Sequence, residues 1–139
     1  MKQEFFNLEI NTNGQRLYEF TDQTIDWIEK KKFKNGILNL SILHTSASLI
    51  IQENADPDVQ TDLINYFDNL VPMNTKLYAH NTEGKDDMPA HIKSALTNNQ
   101  ISLSIKDKQI LLGTWQGIYL FEHRIHPTKR TIVHHFIGE

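Results

Sequence analysis

The segment ILNLSILHTSASLIIQEN, residues 37–54, decides the fold class of this chain. Its two runs at 37–43 and 47–52 are rich in Ile and Leu, a composition typical of strands that bury one or both faces. A polar break at His44 separates the runs. The Asp-Pro pair at 56–57 favours a helix start, since Asp is a preferred N-cap and Pro suits the first helical position. The segment predicts two strands that lead directly into a helix.

Patterns of the same kind extend in both directions along the chain. The predicted strands are 2–10, 16–20, 37–43, 47–52, 101–105, 110–113, 117–124 and 130–137, and the predicted helices are 22–33, one that begins at 57, and 88–97. Residues 11–14, Asn-Thr-Asn-Gly, tolerate the positive φ of a hairpin turn. Because the strands cluster and short connections dominate, we expect mostly antiparallel sheets joined by hairpins, an α+β fold.

Length and composition set the broad class. The 139 residues suit one domain spanning 1–139, and 39% hydrophobic residues allow a sizeable core. No run approaches the roughly 18–20 apolar residues of a membrane span, and the N-terminus lacks a signal-peptide pattern. A net charge of -3 argues against a nucleic-acid partner. We therefore expect a soluble cytoplasmic protein with neither a membrane nor a nucleic acid as partner.

The chain has no cysteine but seven histidines. Disulfides, thiolate catalysis and sulfur-bound zinc are excluded. Any bound metal must use imidazole, carboxylate, backbone carbonyl or water ligands. His44 stands at a predicted strand end with three hydroxyl residues close behind it: Thr45, Ser46 and Ser48. Two interpretations remain open for it, a metal or anion site and a strand-end histidine satisfied by the backbone.

The segment HNTEGKDDMPAHIK, residues 80–93, concentrates the other candidate groups. If a helix starts at Met88, Asp87 is its N-cap and His91 lies one turn further along. A carboxylate beside an imidazole fixes the tautomer and raises the basicity of the ring, as a metal ligand or a general base requires. Glu83 adds a second carboxylate on a flexible turn. The alternative is a capping Asp with a nearby surface histidine.

Two features interrupt or follow the C-terminal strands. Residues 113–117, Gly-Thr-Trp-Gln-Gly, offer a stacking face on Trp115 and an amide on Gln116, or simply a bend between strands. Alternation along 118–123 puts Ile118, Leu120 and Glu122 on one face and Tyr119, Phe121 and His123 on the other. Glu122 and Arg124 share a face, which is typical of a salt-bridged sheet or a subunit contact.

Three ordered motifs then carry a resemblance. They are HTSASLIIQENADPDV at 44–59, HNTEGKDDMPAHIKSAL at 80–96 and LGTWQGIYLFEHR at 112–124, and they closely resemble the YjbQ/UPF0047 family, also labelled the secondary thiamine-phosphate synthase family. The resemblance covers essentially the full chain. It implies an α+β fold of mostly antiparallel, β-sandwich-like sheets with about three helices, assembled as a homotrimer.

The resemblance also implies a site. Its metal ligands would be His44, His80 and His91, holding a divalent ion, zinc first, with magnesium or another divalent ion as alternatives. Asp87 and Glu83 would be the catalytic carboxylates. The surrounding ligand-binding residues would be Thr45, Ser46, Ser48, Asn54, Asp56, Gly113, Thr114, Trp115, Gln116 and Arg124.

Three functions follow as hypotheses from this site. The first is a weak or secondary thiamine-phosphate synthase activity, joining a pyrimidine diphosphate to a thiazole phosphate with release of pyrophosphate. In it Trp115 stacks on the pyrimidine, while Arg124 and the three hydroxyl residues hold phosphate. The second is a metal-dependent hydrolase of a small phosphorylated or acyl metabolite, with Asp87 or Glu83 as base. The third is a trimer that binds metal or metabolite without catalysis.

Overall fold

Eight strands and three α-helices form the fold, described here from a computed structural model that covers Met1–Glu139. The strands are β1 Lys2–Asn13, β2 Arg16–Glu19, β3 Gly36–Ile42, β4 Ala47–Glu53, β5 Gln100–Lys106, β6 Gln109–Ile110, β7 Gln116–Glu122 and β8 Pro127–Gly138. The helices are α1 Thr21–Lys31, α2 Pro57–Leu70 and α3 Asp87–Leu96, with a 3₁₀ turn at Thr75–Leu77. None of the helices combines the length and the apolar character needed to cross a bilayer.

Two antiparallel sheets confirm the α+β class. The larger has the order β1-β8-β3-β5-β6 and the smaller the order β2-β7-β4. The prediction that hairpins join most strands is wrong, because β5 and β6 are the only consecutive strands that pair with each other. β1 pairs along its whole length with β8, and β2 pairs with β7. The turn at Gly14, with φ of +91°, therefore carries the chain from one sheet to the other.

Alternating side chains of the strands form the core, as the sequence pattern predicts. Ile118 and Leu120 of β7 face the main hydrophobic cluster between the sheets. Tyr119 and Phe121 face the opposite side, where they pack with Leu17 and the apolar side of α2. The small sheet is thus covered on both faces, and its strand ends are the places where polar groups remain accessible.

A buried ion pair fixes the end of the small sheet where β4 begins and β7 ends. Glu122 is fully buried and Arg130 is 3% exposed, and the two side chains meet through two hydrogen bonds of 2.5 and 2.7 Å. Arg130 also donates to Ser46 Oγ at 2.9 Å. Ser94 of α3 donates to the carbonyl of Ala47 at 2.9 Å. These bonds hold the loop that precedes β4 beside α3.

The start of α3 differs by one residue from the expectation. The helix begins at Asp87, and Asp86 stands in the N-cap position without a side-chain capping bond. The reason is that both carboxylates are bound elsewhere, chiefly to Arg124. The expected strand at 110–113 is likewise reduced to the two residues of β6, and the expected last strand lengthens to twelve residues because it pairs with all of β1.

Candidate metal centre

Three side chains converge at the start of α3. The ligand atoms of His80, Asp87 and His91 all lie within 4.8 Å of one another. Nε2 of His80 is 2.7 Å from Asp87 Oδ2, and Nε2 of His91 is 3.2 Å from the same oxygen. Asp87 and His91 meet because residues four apart share a helix face, as the spacing predicts. His80 is brought in by the polar segment before the helix.

A backbone carbonyl fixes the tautomer of His91. Nδ1 of His91 donates to the carbonyl oxygen of Thr45 at 2.9 Å. A carbonyl only accepts hydrogen bonds, so Nδ1 carries a proton and Nε2 is the ring nitrogen that faces Asp87. Such a backbone anchor is the usual outer partner of a metal-binding histidine.

Arg124 orients the carboxylate of Asp87. Its Nη1 donates to Asp87 Oδ1 at 2.5 Å, its Nε to Asp86 Oδ2 at 2.8 Å, and its Nη2 to the carbonyl of Glu83 at 3.1 Å. Oδ2 of Asp87 is thereby left to the histidines. Burial alone would raise the pKa of Asp87, but the hydrogen bond from His80 and the charge of Arg124 outweigh it and hold the pKa below its usual range. Asp87 is therefore an anion at neutral pH.

Glu83 adds a second carboxylate at the rim. Its Oε2 lies 2.9 Å from Nε2 of His80, and its side chain is 64% exposed. The hydrogen bond to Asp87, joined by the charge of Glu83, raises the pKa of His80 above its usual value despite the opposing effect of desolvation. The cluster attracts positive charge, either a proton or another cation.

The donor set fits a divalent ion. Two imidazole nitrogens with one or two carboxylate oxygens are ligands that zinc commonly takes. Zinc bonds of about 2.0–2.1 Å at tetrahedral angles place neighbouring ligand atoms about 3.3 Å apart. The 3.2 Å between His91 and Asp87 suits that spacing, and the 2.7 Å between His80 and Asp87 requires only a slight opening.

His44 lies outside this group, so one chain does not bring the expected trio of histidines together. Its Nε2 accepts the backbone N–H of Thr131 at 2.9 Å. Burial, together with the charge of Arg130, lowers the pKa of His44, so the ring is neutral and Nδ1 holds its proton. No lone pair is left for a metal in this arrangement. The third side chain of the cluster is that of Asp87.

The expected phosphate-binding groups near the cluster are largely occupied. Ser46 is buried and accepts from Arg130, and the fully buried Ser48 is bonded to His123 at 2.9 Å and Thr97 at 2.6 Å. The guanidinium of Arg124 is directed to carboxylates and a carbonyl. Of the three hydroxyl residues, Thr45 alone is exposed. Arg124 orients Asp87 in this structure, and its contact with a phosphate stays a prediction.

The remaining predicted ligand residues lie at the opposite end of the small sheet. The β4–β7 register runs from Ala47↔Glu122 to Glu53↔Gln116, six residue steps or about 20 Å. At that far end Asp56 caps α2, and the N–H of Asn54 donates to the carbonyl of Trp115. Gln116 accepts from the N–H of Gly113 at 2.7 Å, with Thr114 exposed between them. Within one chain, Trp115 does not reach a ligand held at His80.

Sequence reasoning missed two supporting groups. Asp86 holds both Arg124 and the N–H of Ile125, and the carbonyl of Thr45 sets the ring of His91. For Asp86, the available signal in the sequence was the adjacent pair Asp86-Asp87 before a helix. A backbone carbonyl has no sequence signature at all.

The fold and the cluster together define a small antiparallel α+β protein with a cluster of two histidines and one aspartate at the start of α3. A family profile described as "UPF0047 protein YjbQ-like" matches residues 6–139. The chain belongs to the YjbQ/UPF0047 family.

Individual relatives cover nearly all of the chain. A UPF0047 protein of Synechocystis sp. is 48% identical over 132 residues, 95% of this chain and 90% of that protein. UPF0047 protein YjbQ of Salmonella typhimurium is 47% identical over 106 residues, 76% of each chain. The crystal structure of a YjbQ/UPF0047 family protein from Clostridium acetobutylicum superposes with a TM-score of 0.84 at 30% identity, covering 96% of this chain and 99% of the other.

Proposed function

We propose that the protein binds one divalent metal ion, zinc first, through His80, Asp87 and His91, and acts on a small phosphorylated or acyl compound at that centre. The observation that carries the proposal is the ring of His91. Its Nδ1 donates to the Thr45 carbonyl, and its Nε2 faces the same oxygen of Asp87 that His80 approaches. Two imidazole nitrogens that face one carboxylate oxygen can share a cation with it, and a divalent ion can replace the protons held there.

The residues of the chain divide the work at this centre. His80, Asp87 and His91 bind, and Arg124 keeps Asp87 ionised and oriented. A bound divalent ion supplies Lewis acidity toward a phosphoryl or carbonyl oxygen. Glu83, exposed and beside His80, is the group able to accept a proton from an attacking water.

Hydrolysis is the reaction that this arrangement supports best. A general base stands at the rim, whereas four of the five N–H donors of Arg124 are engaged within the chain, which leaves at most one for a diphosphate. Lys85 is the free cation of the segment, since it is exposed and has no carboxylate within 4.0 Å. One lysine suits a monophosphate better than a departing diphosphate.

The thiamine-phosphate-synthase-like reaction is the second candidate, and it rests on the family resemblance. It requires strong neutralisation of the pyrophosphate leaving group. The features in its favour are Lys85 and the proposed metal ion. Incubation with a pyrimidine diphosphate and a thiazole phosphate distinguishes the two reactions, because coupling yields thiamine phosphate with pyrophosphate and hydrolysis yields free phosphate.

Elemental analysis and zinc titration test the binding step. We expect about one zinc per chain in the wild type, sharply less in His80→Ala and His91→Ala, and an intermediate loss in Asp87→Asn, which keeps the shape of the side chain. His135→Ala, on the outer sheet face, is the matched imidazole control and should keep its metal. Stoichiometric zinc with no turnover on phosphorylated or acyl compounds would favour the non-catalytic hypothesis, and equal metal in all variants would overturn the proposal.

We also propose the homotrimer that the resemblance implies. The outer face of the larger sheet is uncovered and leaves Phe5, Ile37 and Ile137 between 39% and 61% exposed. Apolar sheet surface of this kind is commonly buried between subunits. Light scattering should give three times the chain mass of 16.2 kDa, and a mass of one chain at micromolar concentration would contradict the trimer. The cytoplasmic location remains a prediction.

A further inference from the structure

A groove between α1 and β6 has no part in the proposed metal centre. Two cavities of about 350 and 650 Å³ adjoin along it. They share four lining residues, Ile28, Glu29, Lys108 and Gln109. The groove ends at Gln116, about 20 Å along β7 from the metal-centre end of the small sheet.

One half of the groove is apolar. Ile25, Ile110 and Leu112 line it as half-buried side chains, and Ile28, 1% exposed, forms its floor. Helical rise places Ile25 and Lys32 about 10 Å apart along α1. The groove can therefore take a ligand whose apolar body is of about that length.

The other half is cationic. Lys32, Lys34 and Lys108 line it and are exposed, and the N–H of Lys108 donates to the carbonyl of Lys34 at 2.9 Å. None of the three has a carboxylate within 4.0 Å. Glu29 and Asp107 also line this half, so its formal charge is three positive against two negative.

Two of these lysines occupy backbone positions that seldom suit a lysine. Lys32 has a φ of 59° and Lys108 a φ of 69°, in the left-handed region that Gly and Asn adopt most readily. The negative end of α1 favours a cation at Lys32. Lys108 lies on the β5–β6 turn, where no helix dipole explains it, and its charge adds to that of Lys32 and Lys34.

We propose that this groove binds a soluble organic phosphate with an apolar body, the phosphate at the three lysines and the body along Ile25, Ile110 and Leu112. Three unpaired ammonium groups at one end of an apolar channel match a phosphate dianion carried on a hydrocarbon. The cavities have the size of a small-molecule site rather than a membrane footprint. This inference stands independently of the metal centre.

Titration of the full-length protein with octyl phosphate tests the groove. Calorimetry should show saturable binding of one molecule per chain, with amide shifts in NMR spectra at Ile25, Lys108 and Ile110. Octanol, inorganic phosphate and octyltrimethylammonium should each bind at least about tenfold more weakly. Each methylene removed from the chain should weaken binding roughly threefold to fourfold, the value of one buried CH₂.

The double variant Lys32→Asn/Lys108→Asn supplies the decisive comparison. Asn tolerates the left-handed backbone, so the charges are lost without strain. Lys76→Gln/Lys129→Gln removes the same charge away from the groove. We expect at least a tenfold loss of octyl phosphate affinity in the first variant and less than a twofold change in the second.

Three results would overturn the proposal. They are the absence of saturable binding, an equal loss in both double variants, and sedimentation with phosphatidylglycerol vesicles that octyl phosphate does not compete away. The last result would indicate a membrane surface instead. If the first double variant unfolds, Lys34→Gln gives the same comparison. Zinc content is unaffected by any of these outcomes, so failure here is distinguishable from failure of the metal centre.

Discussion

Histidines serve opposite purposes in two regions of this molecule. At the start of α3, His80 and His91 are partly exposed and face the carboxylate of Asp87. In the interior, His123 and His134 are buried and each meets one hydroxyl group, Ser48 and Thr24 respectively, at 2.9 Å. Burial, with added repulsion from Lys93 and Arg130, lowers the pKa of His123 to about 3, and burial lowers that of His134 to about 4.

The difference shows why residue type alone does not locate a site. The interior rings are neutral because burial disfavours the charged form and no carboxylate offsets it. The rings at α3 face an anion that a cation must balance. Position relative to a buried carboxylate separates a binding histidine from a structural one.

The largest effect on stability should come from the interior, at the Glu122–Arg130 pair. Arg130→Met leaves Glu122 buried without its partner, and we expect a loss of about 3–5 kcal/mol in the free energy of unfolding. Urea denaturation measures this. The double variant Glu122→Gln/Arg130→Met should recover part of the loss, whereas Glu83→Gln, at the exposed rim, should cost less than about 1 kcal/mol. Equal losses for Arg130→Met and Glu83→Gln would remove the contrast between the regions.

Acid should destabilise the protein through the two interior histidines. Because their folded pKa values lie below the unfolded value of about 6.5, the unfolded state binds more protons, so stability is complete above pH 6.5 and is lost as the pH falls. Each histidine contributes a slope of about 1.4 kcal/mol per pH unit, down to about pH 4 for His134 and about pH 3 for His123.

Unfolding measured between pH 6.5 and 4.5 isolates this effect from most carboxylate titration. His134→Gln keeps a polar atom near the hydroxyl of Thr24. It should lower the pH dependence of the free energy of unfolding by the contribution of one histidine, about 1.4 kcal/mol per pH unit. The raised pKa of His80 acts in the opposite direction, and it is unchanged in this variant. A wild-type profile that is flat across this range would contradict the assignment of neutral interior rings.

The smallest predicted effect belongs to the positioning residue at the centre. Arg124→Lys keeps a positive charge but not the planar contacts to Asp86 and Asp87. We expect zinc affinity to fall roughly 10-fold to 100-fold, as for other outer-shell partners of a metal ligand. Competition with a chromophoric chelator measures it. Unchanged affinity would mean that Arg124 stabilises the loop without orienting Asp87.

Local patterns predicted the parts of the structure that depend on near neighbours. The four-residue spacing of Asp87 and His91, the alternation of Ile118 and Tyr119, and the cap at Asp56 all follow from the geometry of one element. The placement of β1 and β2 in different sheets does not follow from local patterns, because a turn that permits a hairpin also permits a crossing between sheets.

Long-range contacts account for the rest. The bond between Arg124 and Asp86 spans 38 residues, and the bond that consumes the lone pair of His44 spans 87. No spacing in a single sequence indicates either. One chain therefore brings together His80, Asp87 and His91 but not His44, and whether these groups bind metal stays a prediction.

Zinc titration of three proteins tests the central claim most directly: the wild type, His91→Gln and His44→Gln. Gln at 44 keeps an acceptor for the N–H of Thr131, so the fold is preserved while the imidazole is removed. We predict about one zinc per chain in the wild type, the same in His44→Gln, and little or none in His91→Gln. Absence of zinc from the wild type, or a loss in His44→Gln as large as in His91→Gln, would contradict a centre built from His80, Asp87 and His91.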